Sequence, residues 1–502
     1  MSISTTHLNV LFHRAPLIVP SVLHPTSLKG SMPTLWLVVI GVFTLLFALV
    51  QARKKKNGAL PPGPKPLPIV GNVLDLTARE LWVRATQWAK SYGDVVYLHV
   101  FGQGLLFLNT YEAAIDLLEK KGSIYSDKPA LVMAGELCGC DNMVAFTRYG
   151  DKSRRQRRLM QKALGPGAIP TYHPLLEIET HALLRRLLDD SGNYDSQIRR
   201  YAGSLTLLVV YGYRVTANDD PFLNLAEECV DILSNRIASG GGIWPVDIFP
   251  FLKHLPLWFP GAGFKRKAIQ WKAKMEEFTN KPFELVQARM TTTVIRHFLL
   301  HMQLHPEVAA KARKEIDSVV GTGRLPTLSD RPALPYVNAV MNECLRWGAP
   351  VPLGLPHRLM EDDVYNGMII PRGTLVFANI WNMTRNPDVF PDPESFNPER
   401  YMEDVDATTA TARDLRNFVF GFGRRRCPGS HLVDSSFWIV LASMLATFDI
   451  VKEADPSTGR PLEPVIAFEN AVFRAPEPFP CSIKPRSSEA ARLIISSESL
   501  NA

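Results

Sequence analysis

No aspartate or glutamate precedes Asp75 in this 502-residue chain, and the run from Met32 to Ala52 carries no charge of either sign. Cysteine is scarce, six in all, which excludes a disulfide-built scaffold and points to a reducing compartment. Charged residues make up 21% of the chain and apolar ones 46%. That balance excludes a disordered chain, a collagen-like one and a bundle of membrane spans. The basic excess is only +7. It is too small and diffuse to mark a nucleic-acid binder, but it suits a membrane surface or an acidic partner.

The uncharged run Met32–Ala52 is long enough to cross a bilayer as one helix, at about 1.5 Å per residue. Arg53, Lys54, Lys55 and Lys56 follow at once, and cations on that flank keep the downstream chain cytosolic. A cleaved signal peptide fits less well, because the cations follow the apolar run and no small-residue cleavage site is evident. Residues 1–31 are rich in Ser, Thr and His. They faintly resemble a transit peptide, although the Met at position 32 makes a mis-assigned start the simpler reading. A basic and proline-rich hinge covers 53–72, with Pro61-Pro62-Gly63-Pro64-Lys65-Pro66 as a stiff spacer between membrane and domain.

Residues 73–487 alternate helical and strand signals without internal repeats or a linker, which gives one large domain and a tail at 488–502. Val95–Asn109 reads as a hairpin broken at Gly102 and Gly104. Tyr111–Lys121 reads as a helix closed by Gly122, and Ser153–Leu164 as an arginine-dense helix. Helical blocks are expected over 172–289, with a proline-rich break at Trp244–Pro260, and then over Thr293–Val320 and Pro335–Trp347. Short strands fall in Asp363–Phe377 around the turn pair Asn366-Gly367. The class is mainly α with a small β portion.

The strongest chemical signal is Phe420-Gly421-Phe422-Gly423-Arg424-Arg425-Arg426-Cys427-Pro428-Gly429. A glycine-relaxed loop presents one thiol just before a helix. The helix start and the neighbouring arginines favour a thiolate, the ligand type that pushes electron density onto haem iron.

That loop resembles the haem-binding signature Phe-x-x-Gly-x-Arg-x-Cys-x-Gly of the cytochrome P450 (haem-thiolate monooxygenase) superfamily, with Phe420, Gly423, Arg425, Cys427 and Gly429 matching. Glu343-Cys344-Leu345-Arg346 is similar to the family's Glu-x-x-Arg helix motif, and Phe396-Asn397-Pro398-Glu399-Arg400-Tyr401 to its Pro-Glu-Arg-Phe-like loop. Ser126-Asp127-Lys128-Pro129, Tyr149-Gly150-Asp151, His305-Pro306-Glu307-Val308, Pro356-His357-Arg358 and Ile370-Pro371-Arg372-Gly373-Thr374 extend the likeness. The pattern is closest to fungal microsomal members of the O-methylsterigmatocystin oxidoreductase-like kind. The resemblance implies the cytochrome P450 fold and haem b (iron protoporphyrin IX), with Cys427 as the axial ligand of its iron. Arg157, His357 and Arg425 are then cations for the haem carboxylates, and Glu343, Arg346 and Arg400 a charged triad in the core. It further implies an apolar small-molecule substrate, dioxygen, membrane lipid as support and an NADPH-cytochrome P450 reductase as electron donor, with the protein on the endoplasmic reticulum. Arg154, Arg155, Arg157, Arg158, Arg424 and Arg426 would form a basic face for that acidic reductase.

The chain departs from the family twice. Ser153 stands where the arginine-rich helix normally carries Trp-x-x-x-Arg ahead of Arg157, so one carboxylate contact is expected to be missing. The family also places Ala/Gly-Gly-x-Asp/Glu-Thr-Thr on a long helix opposite the iron. Here Gln287-Ala288-Arg289-Met290 precedes Thr291, Thr292 and Thr293, and a stretch of roughly forty residues is expected to be absent. Thr291 and Thr292 are the nearest equivalents of the proton-relay alcohol. The competing expectation is therefore a haem-binding protein of the same fold that is catalytically impaired by a truncated helix. Cys138-Gly139-Cys140 is too short for a zinc site, which takes four ligands, and reads as buried loop.

Deleting residues 1–56 is expected to abolish carbonate-resistant membrane association, measured by fractionation. Soluble full-length protein, or its import into mitochondria, would refute the anchor.

Overall fold

A computed structural model of the protein describes residues 59–499, apart from 78–79, 212, 214, 216–219, 238–243 and 281–285. The expected N-terminal extension and anchor lie outside these residues. Among the described residues no helix is long and apolar enough to cross a membrane.

The β portion starts with helix α1 (Leu81–Tyr92) and strands β1 (Val95–Val100) and β2 (Gln103–Leu108). The two strands form the expected hairpin. Its turn falls on Phe101 and Gly102, both at positive φ, rather than on Gly104. Alternation along β1 sends Val96, Leu98 and Val100 toward Trp88 of α1 and toward Phe107. Phe107 stacks on Phe377 at 5.2 Å. The proline-rich stretch is not a free spacer. Tyr97 donates its N–H to the carbonyl of Pro62, and Asn72 donates to that of His99. A Cβ on Gly63 would lie 2.0 Å from the Tyr97 carbonyl oxygen, so only glycine permits this approach.

Helices α2 (Asp151–Leu164), α3 (His173–Asp189), α4 (Tyr194–Tyr211), α5 (Pro221–Asp231) and α6 (Gly263–Asn280) follow. After them come α7 (Val286–Leu304), α8 (Pro306–Val319) and α9 (Pro335–Gly348). The single block expected over Thr293–Val320 is two helices, because Pro306 has no N–H to continue α7 and instead opens α8. Gly122 likewise does not close its helix. The segment from Tyr111 runs through widened turns to Lys120, and Gly122 begins the next short turn.

Strands β4 (Asp363–Tyr365), β5 (Met368–Ile370) and β6 (Leu375–Ala378) lie where expected, and β3 (His357–Arg358) precedes them as a short strand outside the expected range. Asn366 and Gly367 both adopt positive φ in the β4–β5 turn. β6 runs parallel to β2 and antiparallel to β3, giving the order β1-β2-β6-β3. The last elements are α10 (Ser430–Thr447), β7 (Phe448–Val451), β8 (Ser482–Pro485) and α11 (Ser488–Ser499). The expected tail is thus largely helical, with Ala490 and Ile494 buried.

α10 is the axis of the helical layer. It is apolar on every side and buried except at His431 and Asp434, as a helix at the centre of a large core must be. It packs against α3, α7, α8 and α9. A separate apolar cluster joins Cys138, Cys140 and Cys229 to Trp271 and Met275. Burial pushes the Cys138 and Cys140 thiols up to about 12. No metal-holding group occurs among the described residues.

One ionic network crosses the core. Arg346 of α9 makes a bidentate pair with Glu343, at 2.7 and 2.8 Å, and donates further to the carbonyls of Thr384, Pro393 and Ser395. Arg400 reaches the same carboxylate at 3.3 Å and ties down the carbonyls of Pro391 and Asp392. Glu343 and Arg346 are fully buried. Replacing Glu343 by Ala leaves two guanidinium groups without their anion, so we expect a loss of about 3–5 kcal/mol in denaturant unfolding. A loss below about 1 kcal/mol would mean that the carbonyls alone hold the arginines.

Candidate active site

Cys427 sits three residues ahead of α10 on a tightly closed loop. Its N–H donates to the carbonyl of Phe420 at 2.8 Å, and Arg426 donates to that of Gly423 at 3.2 Å. Gly421 and Gly423 take positive φ, and a Cβ on Gly423 would meet the Leu118 carbonyl oxygen at 2.2 Å. Gly429, the residue before α10, has an ordinary φ of −89°. Phe418, Phe420 and Phe422 are buried, with Phe418 edge-on to Tyr111 at 5.7 Å. The thiol of Cys427 is half-buried at a helix start, where the unpaired N–H groups favour negative charge.

Four basic side chains gather near this loop. Arg425 is buried and donates to the carbonyls of Ser126 and Thr147 at 2.7 and 2.8 Å. Lys128, also buried, donates to the carbonyls of Leu355 and Pro356. The Nδ1 of His357 bonds the carbonyl of Tyr125 at 2.9 Å, and Arg157 bonds that of Arg426. All of these partners are carbonyl oxygens. The adjacent carboxylate, Asp127, is taken by Arg148 at 2.5–2.8 Å, by the Tyr149 N–H and by Arg358.

Burial, and then the mutual repulsion of these cations, shows in their proton affinities. Lys128 is lowered to about 7 by burial and by Arg425 and Arg157. Arg425 is lowered to about 10 by burial and Arg157. His357 lies well below its ordinary value through burial and Lys128. Burial also lowers Arg157, against the opposing charge of Cys427. Concentrated positive charge beside a carboxylate, Asp127, that is already engaged is a site for added carboxylates. Haem b carries two carboxylates and an iron that takes a thiolate, so thiol and cations together fit that group. Lys128 has no role in the sequence reading, since a lysine after an aspartate in a loop looks like any surface lysine; only the fold buries it beside Arg425.

The other expected residues are placed as follows. Ser153 is buried with its hydroxyl unpartnered, and Arg154, Arg157, Arg158 and Arg424 line one open cleft together with Pro428. Exposed Arg155 and half-buried Arg426, also expected on this face, do not line it. Thr291, Thr292 and Thr293 are buried on α7, which packs against α10. The expected truncated helix is not seen: α7 continues unbroken for 19 residues. Its apolar residues, among them Val294, Ile295 and Phe298, carry the helix without the glycine that the family pattern places there.

The sequence profile described as Cytochrome P450 matches residues 61–290 and 288–461. The chain belongs to the cytochrome P450 family. It is 38% identical to Cytochrome P450 monooxygenase claT of Ampulloclitocybe clavipes, across 91% of this chain and 98% of that protein. It is equally identical to Cytochrome P450 monooxygenase 208 of Postia placenta, across 90% and 95%. The alignment with claT runs over 504 positions but uses 91% of this chain, so several tens of its positions face no residue here. The two matched stretches meet at 288–290, in the first turns of α7. This cytochrome P450 is a monooxygenase, an oxidoreductase, and haem b is its cofactor.

Lys128 makes a test of the cation cluster with two opposite signs. Its folded-state pKa of about 7 lies below the unfolded value of 10.5. The folded haem-free protein is therefore penalised below pH 7, and the penalty fades as pH rises toward 10.5. Lys128→Met is expected to raise the melting temperature of the haem-free protein at pH 7 and to flatten its rise with pH. The same variant should release haem faster to an apomyoglobin trap. Destabilised haem-free protein, or unchanged haem release, would remove Lys128 from the site.

Proposed function

We propose that this cytochrome P450 works on the endoplasmic reticulum membrane, held by Met32–Ala52 with its catalytic domain cytosolic. It inserts one oxygen atom from dioxygen into an apolar small molecule. A terpenoid, polyketide, fatty acid or aromatic xenobiotic suits the chemistry, and electrons come from NADPH through a reductase. The observation that carries the reading is the half-buried Cys427 thiol ahead of α10, beside cations that lack a free anion. The motif set around Ser126–Pro129 and Tyr149–Asp151 supports the narrower likeness to O-methylsterigmatocystin oxidoreductase-like members.

In this reading Cys427 binds the iron as thiolate, held in place by the Phe420 carbonyl and by the glycine contacts of its loop. Lys128, Arg157, His357 and Arg425 hold the two carboxylates. Haem, when bound, supplies the activation of dioxygen. The chain supplies the surroundings: α7 walls off water, and the hydroxyls of Thr291 and Thr292 hand protons inward. No acid precedes these threonines, so proton delivery rests on the hydroxyls. The arginines of α2 and the Cys427 loop offer the acidic reductase a docking face.

Reduced protein under carbon monoxide is expected to show the Soret shift of thiolate ligation, and Cys427→Ala to lose it while Cys344→Ala keeps it. An unchanged spectrum in Cys427→Ala would overturn the assignment. The Thr291→Val/Thr292→Val double variant should form about tenfold less product per NADPH consumed with the same reductase. Equal coupling would move proton delivery elsewhere.

A further inference from the structure

Residues 128–147 leave the cation cluster and return to it. Lys128 opens the stretch as one of the buried cations. At its far end the carbonyls of Val144 and Thr147 accept from Arg425 at 3.5 and 2.8 Å. The middle lies elsewhere: Val132, Met133 and Ala134 pack in the separate apolar cluster with Cys229 of α5 and Trp271 of α6. Among the described residues the backbone–backbone bonds of 129–147 all close within the stretch, so side chains from outside must fasten it.

One carboxylate fastens the middle. Val132–Leu137 forms helical turns whose first N–H groups have no partner one turn back. Leu131, at the capping position, has no polar side chain to offer them. Asp247 does so from 114 residues away: its Oδ1 accepts the Met133 N–H at 2.8 Å. Its Oδ2 accepts the Trp244 N–H at 2.8 Å, capping its own turn Pro245–Ile248, and the Val132 N–H also reaches the carboxylate. Among the described residues no cation shares it, and burial raises its proton affinity above the ordinary carboxylate value against these bonds. The other tie between the two segments, Lys253 to Glu136 at 2.6 Å, joins partly exposed side chains. An exposed ion pair holds little, whereas N–H bonds to a carboxylate are among the strong ones. We propose that Asp247 is a positioning residue for haem retention. It pins the strap 128–147, and through the strap it keeps Lys128 and the carbonyls that orient Arg425 in place. The inference rests on the reading that these cations hold the haem carboxylates.

The test is haem transfer from the loaded full-length protein to an apomyoglobin trap, read beside the melting temperature. Asp247→Ala is expected to release haem about tenfold faster, the effect of losing one charge-assisted tie. Asp247→Asn keeps one acceptor oxygen and should release it about threefold faster; it serves alone if Asp247→Ala loads no haem. Asp330→Ala is the control. Asp330 likewise accepts a backbone N–H, that of Thr327 at 2.8 Å, in a turn that packs on α9 and α10. Its loss should lower the melting temperature and leave haem release unchanged. The carbon monoxide spectrum of each loaded variant shows that Cys427 still ligates. Release at the original rate by Asp247→Ala, or by Asp247→Asn where Asp247→Ala loads none, would overturn the proposal, as would an equal rise in Asp330→Ala. Lys128→Met separates the two readings: unchanged release there faults the cation assignment itself. Faster release by Lys128→Met but not by the Asp247 variants faults the pin alone.

Discussion

A single carboxylate, Glu343, holds two buried guanidinium groups, and much of the helical core is arranged around that shared anion. Through Arg346 and Arg400 it reaches the carbonyls of residues 384, 391, 392, 393 and 395. It thereby joins α9 to an irregular stretch that has few backbone bonds of its own. A buried ion pair adds little net stability by itself, because desolvation offsets most of the attraction. Its effect is to fix one geometry, since every donor of Arg346 has a named acceptor.

The cation cluster by the Cys427 loop follows the opposite logic. There the basic groups lie against carbonyls while the neighbouring carboxylate Asp127 is committed to Arg148 and Arg358. One site is complete within the polypeptide; the other is completed by what it binds. The lowered proton affinities of Lys128 and Arg425 are the mark of that incompleteness. The same residues are thus expected to weaken the empty protein and strengthen the loaded one.

How much of this was legible in the sequence depended on distance along the chain. The Cys427 loop, the Glu343/Arg346 spacing and the β1–β2 hairpin are local patterns, and local sterics settle them. The split between α7 and α8 was missed although Pro306 announces it, because the apolar periodicity running through 293–320 conceals the break. The proline-rich stretch at 61–66 reads as a spacer because nothing local shows that the Tyr97 backbone will lie against Gly63. Lys128 and the unpartnered hydroxyl of Ser153 acquire their meaning only from burial. The triplet of threonines reads as an incomplete motif, whereas the helix carrying it is continuous because packing, not the motif, holds it.

The Cys427 loop is fastened to the first third of the chain. Gly423 donates to Glu119 at 3.2 Å and Arg425 to the Ser126 carbonyl at 2.7 Å, across separations of 304 and 299 residues. During synthesis the pieces that shape the thiol loop emerge far apart in time, with most of the helical layer made between them. Such long loops close slowly. The two halves of the thiol loop's setting therefore meet only after the chain has been made past Cys427, and until then residues 118–128 stand without their C-terminal partner.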